Sequence, residues 1–247
     1  AARRLAPSVV IGIGLAAFAA LNGYSKPYTL LSLFVIGFAL WSNLYEYIEP
    51  VIQRIRTKGE PPQVAMLRVF TRARRRFGGH IAHYGILLAV FALAMSKGYR
   101  AERDFTMTKG QSETFSGFDV VYAGSERVLE PHRESVIASF DVSRNERKIG
   151  TFGPRMNYYP TQREPIVTPA VYEKYNGDLY FSLIDVGRGD GSTVIVRLIY
   201  QPFQMWLWIA APVIALGSII SLWPQRERKE RVSAAHPTIE VVAGRAS

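Results

Sequence analysis

The stretch Arg74-Arg75-Arg76-Phe77-Gly78-Gly79-His80-Ile81-Ala82-His83-Tyr84-Gly85 passes from three arginines into an uncharged segment that continues to Ser96. An apolar segment of about 20 residues is long enough to cross the hydrocarbon core of a bilayer. Arginines at one end of such a segment mark its cytoplasmic boundary. The stretch therefore predicts a transmembrane helix over residues 78–97, with two histidines inside it.

Three other stretches lack Lys, Arg, Asp and Glu over a similar length: Leu5 to Leu21, Tyr28 to Leu44 and Phe203 to Trp223. We therefore expect a polytopic α-helical membrane protein, with two spans in residues 1–48 and a final span over 203–223. Arg3 and Arg4 before the first stretch also fit a signal peptide, which would leave the later topology unchanged. Because the chain begins with Ala rather than Met, we expect a fragment or a processed product.

The charges predict the orientation of these spans. Residues 49–77 carry eight Lys or Arg against two Glu, and residues 224–247 carry five against three. The positive-inside rule places both segments in the cytoplasm and residues 98–202 outside. The net charge of +10 therefore reflects topology and indicates no nucleic-acid partner. The absence of cysteine excludes disulfides, Cys-ligated metals and covalent haem attachment within this sequence.

The basic connector at residues 49–77 has two interpretations. Met66, Val69, Phe70 and Ala73 recur at helical spacing, as in an amphipathic helix that lies on the membrane surface of the cytoplasmic side. A solvated basic loop would satisfy the positive-inside rule equally well. The sequence leaves both open.

Residues 98–202 predict an inserted extracytoplasmic antiparallel β domain, either a small barrel or a sandwich. Asn176-Gly177 separates two apolar runs and indicates a tight hairpin turn. A last strand alternates so that Val194, Val196, Leu198 and Tyr200 share one side. His132, beside Pro131, is expected in a surface loop.

Two acidic residues of this domain were considered as a catalytic pair. Asp178 and Asp185 are seven residues apart, which in a regular strand places them on opposite faces. We therefore expect no glycosidase-like pair of carboxylates.

The intramembrane histidines are the strongest functional signal, because an ionisable residue at that depth is costly. Imidazole can ligate haem iron, relay protons or form an interhelical hydrogen bond. Gly78, Gly79, Ala82 and Gly85 would let another helix or a flat macrocycle approach closely. Residues three apart share one helix face, so His80 and His83 cannot ligate one haem from opposite sides.

Several motifs together resemble one known family. They are the stretch at residues 74–85, Tyr99 to Asp104, Tyr158-Tyr159-Pro160, Asp178-Leu179-Tyr180, and Val196 to Phe203 followed by Trp206-Leu207-Trp208. In this combination the chain resembles the C-terminal portion of the CcmF family, the haem lyase subunit of bacterial cytochrome c maturation.

The resemblance implies that His83 is an axial ligand to haem b, and that His80 is a neighbour at a position where the family usually has an apolar residue. It implies a role in attaching haem to apocytochrome c at the outer face of the bacterial inner membrane. The implied partners are the haem chaperone CcmE, a CcmH-type apocytochrome-handling subunit, apocytochrome c and the lipid bilayer. The family's second transmembrane histidine and its tryptophan-rich haem-handling segment lie outside this sequence, so we expect this portion alone to be inactive.

Two alternatives remain at this point. The chain could be a non-enzymatic, membrane-anchored β domain for partner docking within an assembly complex. It could also be a transporter subunit that uses His83 as a proton relay.

Overall fold

The computed structural model describes residues 2–187 and 192–223. The predicted cytoplasmic tail (224–247) and most of the predicted turn at residues 187–191 lie outside the described residues. The helices are α1 (Ala2–Leu21), α2 (Pro27–Lys58), α3 (Pro62–Arg72), α4 (Arg74–Gly98) and α5 (Met205–Leu222). The strands are β1 (Ala101–Thr108), β2 (Ser112–Phe115), β3 (Phe118–Glu130), β4 (Arg133–Arg144), β5 (Arg147–Phe152), β6 (Arg155–Tyr158), β7 (Ile166–Thr168), β8 (Ala170–Tyr172), β9 (Asp178–Val186) and β10 (Thr193–Gln201).

The long helices pack in a row, with α1 against α2, α2 against α4, and α4 against α5. Within the described residues, α2, α4 and α5 are long and apolar enough to cross a membrane, whereas the apolar helix Leu5–Leu21 is shorter. Large apolar side chains on all four helices face outward, Leu21, Leu31 and Leu222 among them. Such helices suit a lipid environment, because an apolar exterior is costly only in water.

Small residues allow the helix backbones to approach closely. A Cβ on Gly78 would lie 2.6 Å from the carbonyl oxygen of Gly217, and a Cβ on Gly85 would lie 2.8 Å from the amide nitrogen of Ile214. Gly12 and Gly37 have the same role between α1 and α2. The face of α4 that carries Gly78 and Gly85 is therefore covered by α5.

The basic connector is mostly helical. Helix α2 continues to Lys58, 14 residues beyond Leu44, and ends at Gly59, whose φ of 63° is left-handed. Helix α3 follows, and α4 begins at Arg74, earlier than the predicted residue 78. The amphipathic helix is thus present, while its position on a membrane surface stays a prediction.

One carboxylate fastens α3 to the end of α2. Glu60 accepts two hydrogen bonds from Arg54, both 2.9 Å long, and one of 2.6 Å from Arg68. The hydrogen bonds from Arg54 hold the pKa of Glu60 below its usual value. The pair of helices is therefore braced by charge as well as by packing.

The prediction of an antiparallel β domain is confirmed, and its form is a sandwich of two sheets. One sheet has the strand order β1-β10-β9-β8, and the other has the order β2-β3-β4-β6-β7 with β5 also paired to β4. Their facing sides enclose a core of buried aromatic and aliphatic residues that includes Phe118, Tyr122, Phe140, Phe181 and Leu198.

The alternation of the last strand is confirmed, because Val194, Val196 and Leu198 are buried and Tyr200 packs against the same core. His132 is exposed in the β3–β4 turn, as predicted. A tight two-residue turn does form at Asn145-Glu146, where both φ values are positive (49° and 62°).

The hairpin predicted at Asn176-Gly177 is confirmed, because β8 and β9 pair antiparallel. The predicted two-residue length of its turn is wrong, since five residues, 173–177, connect β8 to β9. The Asp178 carboxylate accepts a hydrogen bond from the Lys174 amide (3.1 Å), which stabilises the longer loop.

The prediction that Asp178 and Asp185 lie on opposite faces is also wrong. The pairing of β9 with β10 shifts by one residue between Leu183 and Asp185. This bulge reverses the alternation, so both carboxylates fall on the side away from the core. They still sit at opposite ends of β9, roughly 20 Å apart at about 3.3 Å per residue, which is too far for a catalytic pair.

The β domain is bonded directly to the start of α5. The indole N–H of Trp206 donates to the Tyr175 carbonyl oxygen (2.7 Å), and the Phe203 amide and the Tyr200 hydroxyl both donate to the Asn176 carbonyl oxygen. The β8–β9 loop therefore fixes the direction in which the chain leaves the sandwich.

The adjacent glycines of α4 give a matched test of the helix packing. We expect Gly78→Ala to destabilise the chain by about 1–3 kcal/mol, because its Cβ meets the α5 backbone. Gly79→Ala should be neutral or stabilise by about 0.5–1 kcal/mol, because nothing lies within 4 Å of its Cβ. Thermal unfolding in detergent micelles measures both, and equal effects would contradict the assigned packing.

Asp178 gives a pH-dependent test of the sandwich. Burial raises the pKa of this carboxyl above 3.8, so between that value and the raised one the folded chain keeps a proton that the unfolded chain has lost. Stability therefore falls as the pH rises through this window. We expect Asp178→Asn to unfold at a higher temperature than the parent at pH 7, with an advantage that vanishes below pH 3.8.

The control for this effect is Asp185→Asn, which changes an exposed carboxylate on the same strand. It should leave the unfolding temperature nearly unchanged at pH 7. A lower unfolding temperature for Asp178→Asn would show that the ionised carboxylate stabilises the loop more than its burial costs.

Candidate functional site

Helix α4 has two packed faces and one open face. Gly78 and Gly85 lie against α5, while His80 lies against α2. Between these faces an open strip contains a glycine, a histidine and three exposed apolar side chains: Gly79, His83, Ile86, Val90 and Leu93. Positions separated by three or four residues align along a helix, so this strip is continuous.

The two histidines therefore occupy different environments. His80 is partly buried, and its Nδ1 lies 2.6 Å from Oδ1 of Asn43 on α2. An amide oxygen only accepts, so Nδ1 of His80 is the donor in this hydrogen bond. The Tyr47 ring packs edge-on against His80 at 4.9 Å between centroids. His80 thus forms an interhelical hydrogen bond, one of the roles considered from sequence.

His83 is exposed on the open strip, with its ring centroid 6.0 Å from that of His80. Nothing lies within 4 Å of a Cβ placed on Gly79, one helical turn before it. The space beside His83 is therefore open on the strip that also presents Ile86 and Val90. A flat, apolar group with an iron atom would fit this arrangement of donor, glycine and apolar side chains.

Several contributors to this region were missed in the sequence. Asn43 lies on α2, 37 residues before His80, and no local motif marks it. Tyr47, four residues further along α2, contacts His80 and donates a hydrogen bond to the Phe77 carbonyl oxygen. Spacing within one segment reveals a helix face, but it cannot identify the residue opposite on another helix.

Three buried hydrogen-bond donors remain unpaired. The hydroxyl of Thr29, the indole N–H of Trp41 and the hydroxyl of Tyr84 have no hydrogen-bond partner within residues 2–187 and 192–223. Buried donors of this kind are costly unless a partner is supplied. Thr29 and Trp41 belong to α2, and Tyr84 belongs to α4, the helix that carries both histidines.

The β domain offers no comparable cluster of reactive groups. In the part of the chain that the structure describes, no three His, Asp or Glu side chains are placed to hold a metal ion. Asp178, the buried carboxylate, is engaged in its loop. The histidine region of α4 is therefore the best-supported site.

Comparisons with known proteins agree with this division of the chain. Residues 98–202 match the family described as CcmF C-terminal beta-sandwich. The chain is 23% identical over 207 residues to the cytochrome c-type biogenesis protein CcmF of Haemophilus influenzae, covering 83% of this chain and 32% of that protein. It is 28% identical over 181 residues to CcmF of Escherichia coli K12, covering 72% and 28%.

A solved structure named Cytochrome c Heme Lyase CcmF has the same fold. The TM-score is 0.68 at 22% identity, over 87% of this chain and 34% of that one. The chain thus spans about a third of the length of these relatives, and it is similar to their C-terminal portion.

Proposed function

We propose that this chain acts in cytochrome c biogenesis, as the C-terminal part of a haem lyase that attaches haem to apocytochrome c. The observation that carries the proposal is the exposed His83 on an open, apolar strip of a membrane helix. The similarity to CcmF proteins over most of the chain supports it independently.

In this proposal His83 is an axial ligand to haem b. The bound haem would supply an iron that can change its oxidation state, a redox function that the side chains of this sequence do not provide. Gly79 leaves room for the macrocycle, and Ile86 and Val90 give it an apolar surface. Helix α5 covers the glycine face of α4, so haem bound to His83 would lie on the open strip between α2 and α5.

His80 has a positioning role here. Its hydrogen bond to Asn43 joins α4 to α2 and fixes the rotation of α4 about its own axis. That rotation determines where His83 points. His80 is therefore a neighbour of the haem ligand rather than a second ligand.

The proposed location is the bacterial inner membrane, with residues 98–202 in the periplasm and the basic connector in the cytoplasm. The distribution of arginines supports this orientation. The sandwich then lies on the side where apocytochrome c is processed. It would provide the docking surface for apocytochrome c, for a CcmE-type haem chaperone and for a CcmH-type subunit.

A spectroscopic comparison tests the ligand. We expect the purified chain, mixed with haem, to show a b-type signal in reduced-minus-oxidised spectra. His83→Ala should lower haem occupancy at least tenfold, because it removes the iron–nitrogen bond. The absorbance of the haem band per protein chain measures occupancy.

The control is His80→Ala, which removes the adjacent imidazole and leaves His83 in place. It should lower the occupancy less than His83→Ala does, because the proposed iron ligand remains and His80 bonds to Asn43 rather than to His83. A haem signal that survives His83→Ala but disappears in His80→Ala would show that His80, and not His83, is the haem ligand.

Cysteine labelling tests the orientation, because the chain contains no other thiol. Arg163 lies in an exposed loop of the β domain, and Gln63 is exposed on α3. In intact spheroplasts we expect Arg163→Cys to react with an impermeant maleimide, and Gln63→Cys to react only after lysis. The reverse pattern would place the β domain in the cytoplasm.

A further inference from the structure

A cavity at the basic end of the membrane helices borders the histidine region through Tyr47, which lines the cavity and packs against His80. It has a volume of about 460 Å³ and lies between the end of α2, helix α3 and the start of α4. Its basic lining residues are Arg54, Lys58, Arg68 and Arg76, and its one acidic lining residue is Glu46. This volume is in the range of sites that hold organic ligands, and it is much larger than an inorganic anion needs.

Carboxylates bind the arginines of this cavity but do not engage all of their N–H donors. Arg54 and Arg68 both bond to Glu60, and Arg76 pairs with Glu46. A guanidinium has five N–H donors, so each arginine keeps donors for another acceptor. Lys58 adds a fourth positive charge. The cluster therefore has an excess of positive charge and unused N–H donors, which suits a phosphate group.

The surroundings of the cavity are apolar. Helix α3 turns Leu67 and Met66 outward, with 64% and 58% of their surfaces exposed, and Val64 and Phe70 are also exposed. Pro50, Val69 and Ala73 contribute apolar surface to the cavity itself. An amphipathic helix with outward apolar side chains lies in the interface of a bilayer, at the depth of the headgroups. The cavity would then open where lipid phosphates are found.

We propose that this cavity binds the phosphate-bearing headgroup of an anionic phospholipid. The guanidiniums of Arg54, Arg68 and Arg76 and the ammonium of Lys58 surround the phosphate, and the acyl chains extend along the outward apolar side chains of α3. Bound lipid holds the connector against the membrane and braces α3 against α2 and α4. This site does not depend on the haem proposal, because no haem-strip residue lines it.

A binding experiment with a matched pair of variants tests the proposal. The probe is phosphatidylglycerol labelled on its acyl chain, titrated against the purified full chain in neutral detergent and followed by fluorescence anisotropy. Lys58→Glu reverses a charge that lines the cavity, and Arg56→Glu makes the same change in net charge on an exposed residue of α2 outside the lining. Lys58 is itself exposed, so the variant should fold.

We expect Lys58→Glu to weaken binding by about tenfold, since each basic residue near a lipid anion contributes ~1 kcal/mol and the reversal also adds repulsion. Arg56→Glu should change the affinity by less than about threefold. Equal losses in the two variants would overturn the proposal, because they would show a general charge effect. Binding of labelled phosphatidylcholine with the same affinity would overturn it as well.

Competition distinguishes a lipid headgroup from free phosphate. Unlabelled phosphatidylglycerol should displace the probe, whereas inorganic phosphate at the same concentration should not. Full displacement by inorganic phosphate would show that the cavity binds a soluble anion and would overturn the lipid assignment.

Discussion

The close contact between α4 and α5 is the constraint on which the rest of the structure depends. Gly78 and Gly217 bring the two backbones together, and this packing fixes the side of α4 that is covered. Because α2 occupies a second side through His80, one strip of α4 stays open, and His83 lies in it. The position of the candidate ligand is thus a consequence of where glycine occurs on the opposite side of the helix.

The same pair of helices continues into the β domain. Helix α4 leads into β1, and β10 leads into α5, while β1 and β10 pair antiparallel from Ala101 and Tyr200 onward. The two segments of the chain that follow α4 and precede α5 therefore leave the helices side by side, and they are hydrogen-bonded to each other in the sandwich. The Trp206 bond to the β8–β9 loop adds a second tie at this junction. Movement of the sandwich relative to α5 would have to break the Trp206 bond, whereas β1 and β10 stay paired within the sandwich.

The sequence predicted what depends on long-range composition and on periodicity. Uncharged segments identified the apolar helices, and strict alternation identified the buried side of β10. The wrong predictions arose where a distant contact overrides a local rule. The bulge in β9 reversed the expected face of Asp185, and the loop at Asn176-Gly177, which bonds to Phe203 and Trp206, is longer than a two-residue turn. Asn43 could not be found either, because its role exists only when α2 and α4 are packed.

The two histidines show most clearly what the structure adds to the motif. In the sequence they are three positions apart and could exchange roles. In the helix their side chains point in directions about 60° apart around the axis, and this angle places them in different environments. His80 is used between helices, and His83 faces the open strip. If haem binds at His83, any second protein ligand would come from outside α4, because His80 is held against α2. The proposed haem would in that case join this portion to another helix.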